Sequence, residues 1–303
     1  VLRLPDWETL PYDRFSPHQD LVSDRLLALS RLAQGDPVVL IVPVATLMQR
    51  TAPVAYVSAS SLALDPGQRL GVAALRNTLA RAGYRAVDNV YEHGEFAVRG
   101  SIVDLFPLRS FDPETQRSLA PLERLRLLPG REYPFDDEAI AAFRRRWHER
   151  FDNDHRACPD YQDVARGIAP GGIEYFLPLF FDQCATLFDY LPGQSLLCIE
   201  DAARAGIDQV WEAVNGRYRS LGSDITRPLL EPAEVFLPPD ELRAALKRHT
   251  RIEFTASGQP ERAGAFNFGA RELPLAREAG KRDDPVARIA AIEERGMLLD
   301  YLA

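Results

Sequence analysis

Hydrophobic and polar positions change period several times along the chain. Leu21, Val22, Leu26, Leu29 and Leu32 recur at helical spacing and predict an amphipathic helix. Ser16 is its expected N-cap, Pro17 suits the first helical position, Gln19 completes a capping box and Gly35 ends it. The apolar run from Pro37 to Pro43 is too short for a helix and reads as a fully buried strand of a parallel sheet. A helix followed by a buried strand is α/β grammar.

After Ser60 the pattern changes. Asp65 to Gln68 reads as a turn, and Val72 to Ala82 as a helix with Val72, Leu75 and Leu79 on one face, ended by Gly83. Alternating strands around Val87 to Phe106 follow, and then the run Leu122 to Pro129. This predicts a small α+β unit inserted into a larger α/β one. The α/β grammar then returns. Asp136 to Phe151 is a helix with Ile140, Phe143, Trp147 and Phe151 on one face and Arg144, Arg145, Arg146 and Arg150 on the other. Ser195 to Asp201 reads as a second buried strand and Ala202 to about Leu221 as a helix. A further helix runs from Pro239 to Lys247, and Arg251 to Phe254 form a strand. The Gly-, Arg- and Glu-rich residues 256–284 read as a linker or a loosely packed surface segment.

Within the small unit, Phe96 to Pro107 is the most informative stretch. Phe96, Val98, Gly100, Ile102 and Phe106 share one parity, and Ala97, Arg99, Ser101 and Val103 the other. Arg99 is therefore expected alone on an exposed face, a permanently charged planar donor available to something outside the fold, or simply a solvated residue. Glu92 to Glu95 reads as a tight turn in which Gly94 supplies positive φ.

Composition narrows the classes. With 303 residues, 46% of them apolar, the chain can bury a good core and is expected to hold two domains. Its longest apolar run, Val38 to Met48, is broken by Pro43 and falls short of a membrane span. The opening residues lack the basic start and apolar centre of a signal peptide and read as the middle of a fold, so the chain is expected to begin inside a larger protein. Three widely spaced cysteines suit a reducing cytoplasm. The formal net charge of −8 disfavours a module whose main task is gripping phosphate backbones.

Candidate chemistry is sparse. The sequence contains no GxxxxGK[ST], GxGxxG or HExxH motif. Glu200 and Asp201 end a strand in the way a metal-binding acid does in nucleotide hydrolases, although acids at strand ends are common. His148, His155 and Cys158 match no standard metal spacing and read as surface residues, and Asp160 and Tyr161 suggest no mechanism. The loop Trp7 to Asp20 packs Trp, Tyr and Phe into a polar segment, and its aromatics are expected to fold back onto the core.

The stretches Trp7 to Asp20, Val38 to Arg50, Ala74 to Pro107 and Gly172 to Phe181 together closely resemble the N-terminal part of the bacterial transcription-repair coupling factor family (Mfd). The resemblance holds through about Leu230. It implies a large multidomain ATP-dependent DNA translocase that pushes stalled RNA polymerase off a lesion and recruits nucleotide excision repair. Its N-terminal module is similar to UvrB. By that resemblance the chain has a degenerate P-loop NTPase or helicase-like fold with a smaller α+β domain inserted. The expected divisions are 1–60 and 134–303 for the NTPase-like domain and its tail, and 61–133 for a UvrA-binding insertion.

The resemblance further implies that Arg99 contacts UvrA, with Gly100 and Ser101 beside it, and that Glu200 and Asp201 are the remnant of a nucleotide site. No metal or cofactor is implied for this chain, because ATP and Mg2+ would serve the motor domains of the parent. RNA polymerase and DNA would be met through those other domains. An intramolecular contact with a C-terminal domain would mask the UvrA surface, and the location would be the bacterial cytoplasm, away from membranes. The chain departs from the family after Leu108, where an extra strand and turn carrying another arginine and a phenylalanine are expected. Either that segment is deleted or the sequence as given omits it. Two other classes stay open: an ATP-dependent UvrB-type helicase subunit whose phosphate loop lies upstream of Val1, and a purely structural domain.

Overall fold

A computed structural model of the chain describes residues 1–64, 68–91, 94–100, 102–105, 111–112, 117–118, 125–255 and 264–265. Two compact units are present, Val1–Phe254 and Thr255–Ala303, and the first contains every element described below. It begins with β1 (Leu2–Arg3), α1 (Gln19–Ala33), β2 (Leu40–Ile41), α2 (Val44–Met48) and α3 (Val54–Ala59). There follow β3 (Leu62–Leu64), α4 (Val72–Arg81), β4 (Arg85–Ala86), β5 (Glu95–Arg99), β6 (Ile102–Leu105), β7 (Phe111–Asp112), β8 (Arg117–Ser118) and β9 (Leu125–Leu127). The chain continues through α5 (Asp137–Arg150), α6 (Pro159–Ala165), α7 (Leu187–Tyr190), β10 (Leu196–Glu200), α8 (Asp201–Leu221), α9 (Pro232–Val235), α10 (Pro239–Lys247) and β11 (Thr250–Phe254). The fold is mixed α/β with small sheets. β1 pairs with β2 and β10 with β11, both in parallel, while β3 pairs antiparallel with β9. The chain therefore enters and leaves the segment 62–127 on adjacent strands.

The apolar spacing places the helices well. α1 buries Val22, Leu26, Leu29 and Leu32, and α5 buries Phe143 and Trp147 with Asp136 as N-cap, its carboxylate accepting from the Ala139 amide at 2.9 Å. The start of α1 is corrected. His18, not Ser16, is the N-cap, and its Nδ1 accepts from the Asp20 amide at 3.3 Å. Ser16 is drawn away by tertiary partners: its hydroxyl donates to Glu174 Oε2 (2.8 Å) and accepts from the Gly172 amide (3.1 Å). Gln19 is drawn away too, donating to the Gly130 carbonyl at 2.7 Å. Tertiary acceptors have outcompeted the local cap.

The two strands expected to be fully buried are each half-open. In β2 and its approach, Leu40 packs against the α1 core while Val39 and Ile41 are 64% and 55% exposed. β10 alternates, with Leu197 and Ile199 half-buried and Leu196, Cys198 and Glu200 exposed. A continuous apolar run is expected where both faces of a parallel strand are covered, but among the described residues helices cover one face only.

The largest core is aromatic, built around Trp7, Tyr12, Phe143, Trp147, Tyr175 and Phe180. The Trp7–Asp20 loop folds into it as expected, with Trp7 edge-on to Tyr175 (5.3 Å) and the Tyr12 hydroxyl donating to the Leu230 carbonyl (3.0 Å). Only Phe15 of its three aromatics faces solvent. Glu8 and Tyr12 sit in the left-handed region (φ 56° and 60°), which costs on the order of 1 kcal/mol each. Arg227 holds the loop in that shape. Its Nη1 and Nη2 donate to the Tyr12 and Asp13 carbonyls (2.8 and 2.7 Å), and its Nε to Asp160 (3.1 Å). Gly172 (φ +77°) is required beneath, since a Cβ there would lie 2.1 Å from the Asp13 carbonyl oxygen.

Near the foot of the segment 62–127 lies a buried ion pair. Arg25 of α1 and Glu132, shortly after β9, are almost wholly excluded from solvent and make a forked contact, one arm between Nε and Oε1 and the other, Nη2 to Oε2, at 3.4 Å. Arg25 Nη1 donates to the Pro5 carbonyl (2.8 Å), and its guanidinium lies 5.2 Å from the Trp7 ring centre. Truncating one partner leaves an uncompensated buried charge. Glu132→Ala should therefore cost about 3–5 kcal/mol of unfolding free energy, read from denaturant midpoints.

Beside the pair, Ser16, Gln19, Gly130, Arg131, Tyr133 and Glu174 line a cavity of about 180 Å³. Burial pushes the Glu174 carboxyl up from 4.5 to about 7, with the Ser16 bond opposing the shift and Glu132 adding to it. The folded state thus holds the proton more tightly than the unfolded state. Glu174 contributes stability that is complete below pH 4.5 and is lost as pH rises through about 7. Relative to wild type, Glu174→Gln should gain on the order of 2–3 kcal/mol between pH 4.5 and 8. A wild-type-minus-variant difference independent of pH would contradict this assignment.

Candidate partner-binding site

Sheet β4–β5–β6 carries the site. β4 pairs parallel with β5, and β5 pairs antiparallel with β6 in the register Phe96↔Leu105, Ala97↔Asp104, Val98↔Val103 and Arg99↔Ile102. The single alternation read along Phe96 to Pro107 is therefore corrected to a hairpin. Gly100 and Ser101 connect its arms, and Gly100, at φ +63°, adopts the left-handed geometry that two-residue hairpin turns require. Ser101 and Phe106 to Ser110 lie outside the described residues.

Folding the stretch back changes which residues share a face. Cross-strand partners point the same way, so Phe96, Val98, Val103 and Leu105 form one side and Ala97, Arg99, Ile102 and Asp104 the other. The first side packs with Leu79, Tyr84 and Leu127. Of the predicted α4 stripe, Leu79 is fully buried in this core and Leu75 packs against it, while Val72 is half-buried outside it. Arg99 is exposed as expected, its side chain 56% accessible, but it is not alone. Ile102, assigned by parity to the opposite face, lies directly across from it and is 62% exposed.

Arg99 is also held. Its Nη2 donates to the Asp88 carbonyl (3.1 Å) and to the side-chain oxygen of Asn89, and its Nε lies 4.0 Å from Asp104 Oδ2. Further along β5, buried Glu95 accepts from the Tyr91 amide (2.8 Å) and pairs with Arg85. One strand thus fixes the segment Asp88–Tyr91 at two points. Gly94, as expected, has positive φ (+78°). Asn89, Asp104 and Ile102 are the members of this site that sequence reasoning missed. The Gly100-Ser101 pair between β-forming residues was the signal for a hairpin.

Glu200 and Asp201 lie elsewhere. Glu200 ends β10 opposite Phe254, Asp201 opens α8, and both are exposed. Glu200 is the N-cap of α8 without a side-chain cap bond. Among the described residues no three His, Cys, Asp or Glu side chains are grouped to hold a metal ion. Cys158, expected at the surface, is instead buried and accepts from Asn153 Nδ2 at 3.0 Å. His148 and His155 pack edge-on against each other and against Tyr161. The arginines of α5 are engaged within the chain, Arg146 with Asp182 and the Leu179 carbonyl, and Arg150 with Glu234. No helix among the described residues is long and apolar enough to cross a membrane.

One comparison with known proteins is confined to the segment that carries this sheet. The family model described as the UvrB interaction domain matches residues 62–110, which contain Arg99 and Ile102. Over most of its length the chain is similar to transcription-repair-coupling factors. It is 41% identical to that of Escherichia coli (strain K12) over 293 residues, covering 90% of this chain and 26% of the relative. The Haemophilus influenzae protein is 38% identical over 309 residues (95% and 27%), and that of Myxococcus xanthus 30% identical over 307 residues (90% and 25%). The chain spans about a quarter of the length of these relatives. The resemblance read from the sequence is thereby shown.

Proposed function

We propose that this chain is the non-catalytic N-terminal module of a transcription-repair coupling factor, and that it docks UvrA through the β5–β6 hairpin to recruit nucleotide excision repair to stalled RNA polymerase. The observation that carries the reading is the placement of Arg99: exposed, oriented by its own unit, and inside the span matched by the UvrB interaction domain model. A guanidinium offers a planar fork of donors suited to carboxylate, and arginine is enriched among interface residues that dominate binding.

In this reading residues 61–133 are an α+β domain inserted into a degenerate NTPase-like body formed by 1–60 and 134–303. The side-by-side pairing of β3 and β9 supports an insertion, and the parallel pairs β1–β2 and β10–β11 suit the body. Glu200 and Asp201 are the remnant of a nucleotide site, and the chain takes no cofactor. The translocase motor and its ATP, the contacts with RNA polymerase and DNA, and a C-terminal domain that masks the UvrA surface belong to the remainder of the parent. The protein works in the bacterial cytoplasm.

Calorimetric titration of the chain with purified UvrA, beside a titration with Mg-ATP, tests the reading. UvrA should bind and ATP should not, and Arg99→Ala should cost about 1–3 kcal/mol of UvrA affinity while leaving the unfolding midpoint nearly unchanged. ATP binding without UvrA binding would overturn the proposal in favour of the UvrB-type enzyme.

A further inference from the structure

The hairpin tip carries an apolar side chain whose exposure its own sheet does not explain. Ile102 is 62% exposed, although the other large apolar residues of β5 and β6 turn towards the core formed with α4 and β9. It occupies the register position directly opposite Arg99, so the two side chains stand about 5 Å apart at Cβ and form one surface element. The guanidinium beside it is partly committed. Both acceptors on Asp88 and Asn89 use Nη2, and Nε faces Asp104. Among the described residues nothing accepts from Nη1, so that edge of the fork remains for a ligand.

Resting on the docking role proposed above, the geometry points to a two-part anchor: Arg99 Nη1 takes a carboxylate of UvrA, and Ile102 takes an apolar side chain next to that carboxylate. Asn89 is a positioning residue. By holding Nη2 it fixes the guanidinium before the partner arrives, and so removes ordering entropy that docking would otherwise cost. Displacing water from Ile102 also lowers the local dielectric around the Arg99–carboxylate contact and strengthens it. The partner surface this selects is an acidic residue flanked by an apolar one. A purely acidic patch would gain nothing from Ile102.

The test is UvrA affinity of the full chain carrying Ile102→Thr, Ile102→Val, Asn89→Ala, Asn89→Asp or Arg99→Ala. Thr and Val keep the β-branched shape that suits a strand, so the hairpin is retained. Ile102→Thr should weaken binding roughly tenfold, and Ile102→Val by less than about threefold. Asn89→Ala should also weaken it, and Asn89→Asp should not restore it, because its added negative charge would face the incoming carboxylate. Wild-type affinity in Ile102→Thr together with a loss in Arg99→Ala would overturn the two-part anchor and leave the docking role standing. Absence of binding by the wild-type chain, or no effect of any variant, would overturn both.

Discussion

The arrangement of this molecule depends on a charge pair almost wholly excluded from solvent. Arg25 and Glu132 come from segments far apart in sequence, one on the first long helix and the other just beyond the strand that closes the segment 62–127. Burying two charges is expensive, and only good geometry with further hydrogen bonds offsets the cost. Here the fork to Glu132, the Pro5 carbonyl and the Trp7 ring together surround the guanidinium. The pair therefore joins the strained N-terminal loop, helix α1 and the chain just beyond the β3–β9 pair at one point. Gln19 adds a neutral bond to the same stretch.

That anchoring gives the hairpin its use. A flexible tip would lose much of its contact energy to ordering on docking, whereas β5–β6 rests on its own core of Leu79, Tyr84, Phe96 and Leu127. The local clamp on Asp88–Tyr91 continues the same logic outward, since β5 fixes that segment through Glu95 at one end and Arg99 at the other. In the proposed adaptor, the aromatic body supplies rigidity and the small sheet supplies recognition. The acidic balance of the whole chain is compatible with this division, because the docking chemistry is concentrated at a single arginine rather than spread over a basic face.

Much of the fold was legible because helical spacing reports burial directly. The stripes on α1 and α5 and the capping acid Asp136 were readable one residue at a time. The start of α1 was not, because Ser16 and Gln19 have better partners that only the tertiary fold brings near. Parity identified Arg99 as exposed but placed Ile102 on the wrong face, since a two-residue turn reverses the chain and resets the alternation. The open faces of β2 and β10 were hidden for another reason. An apolar run records what a strand is suited to, and not how many neighbours cover it within this segment. Arg227 and Asp160 gave no local signal, because their role is to hold the backbone carbonyls of a loop more than two hundred residues from Arg227 in sequence.

In the proposed adaptor, docking is confined to the hairpin tip and the segment clamped against it. Hydrogen exchange followed by mass spectrometry, with and without saturating UvrA, tests it most directly because every backbone amide reports at once. Protection should appear in peptides spanning residues 85–105, with the aromatic body unchanged. Protection centred on β10–β11 and the start of α8, with none at the hairpin, would contradict it.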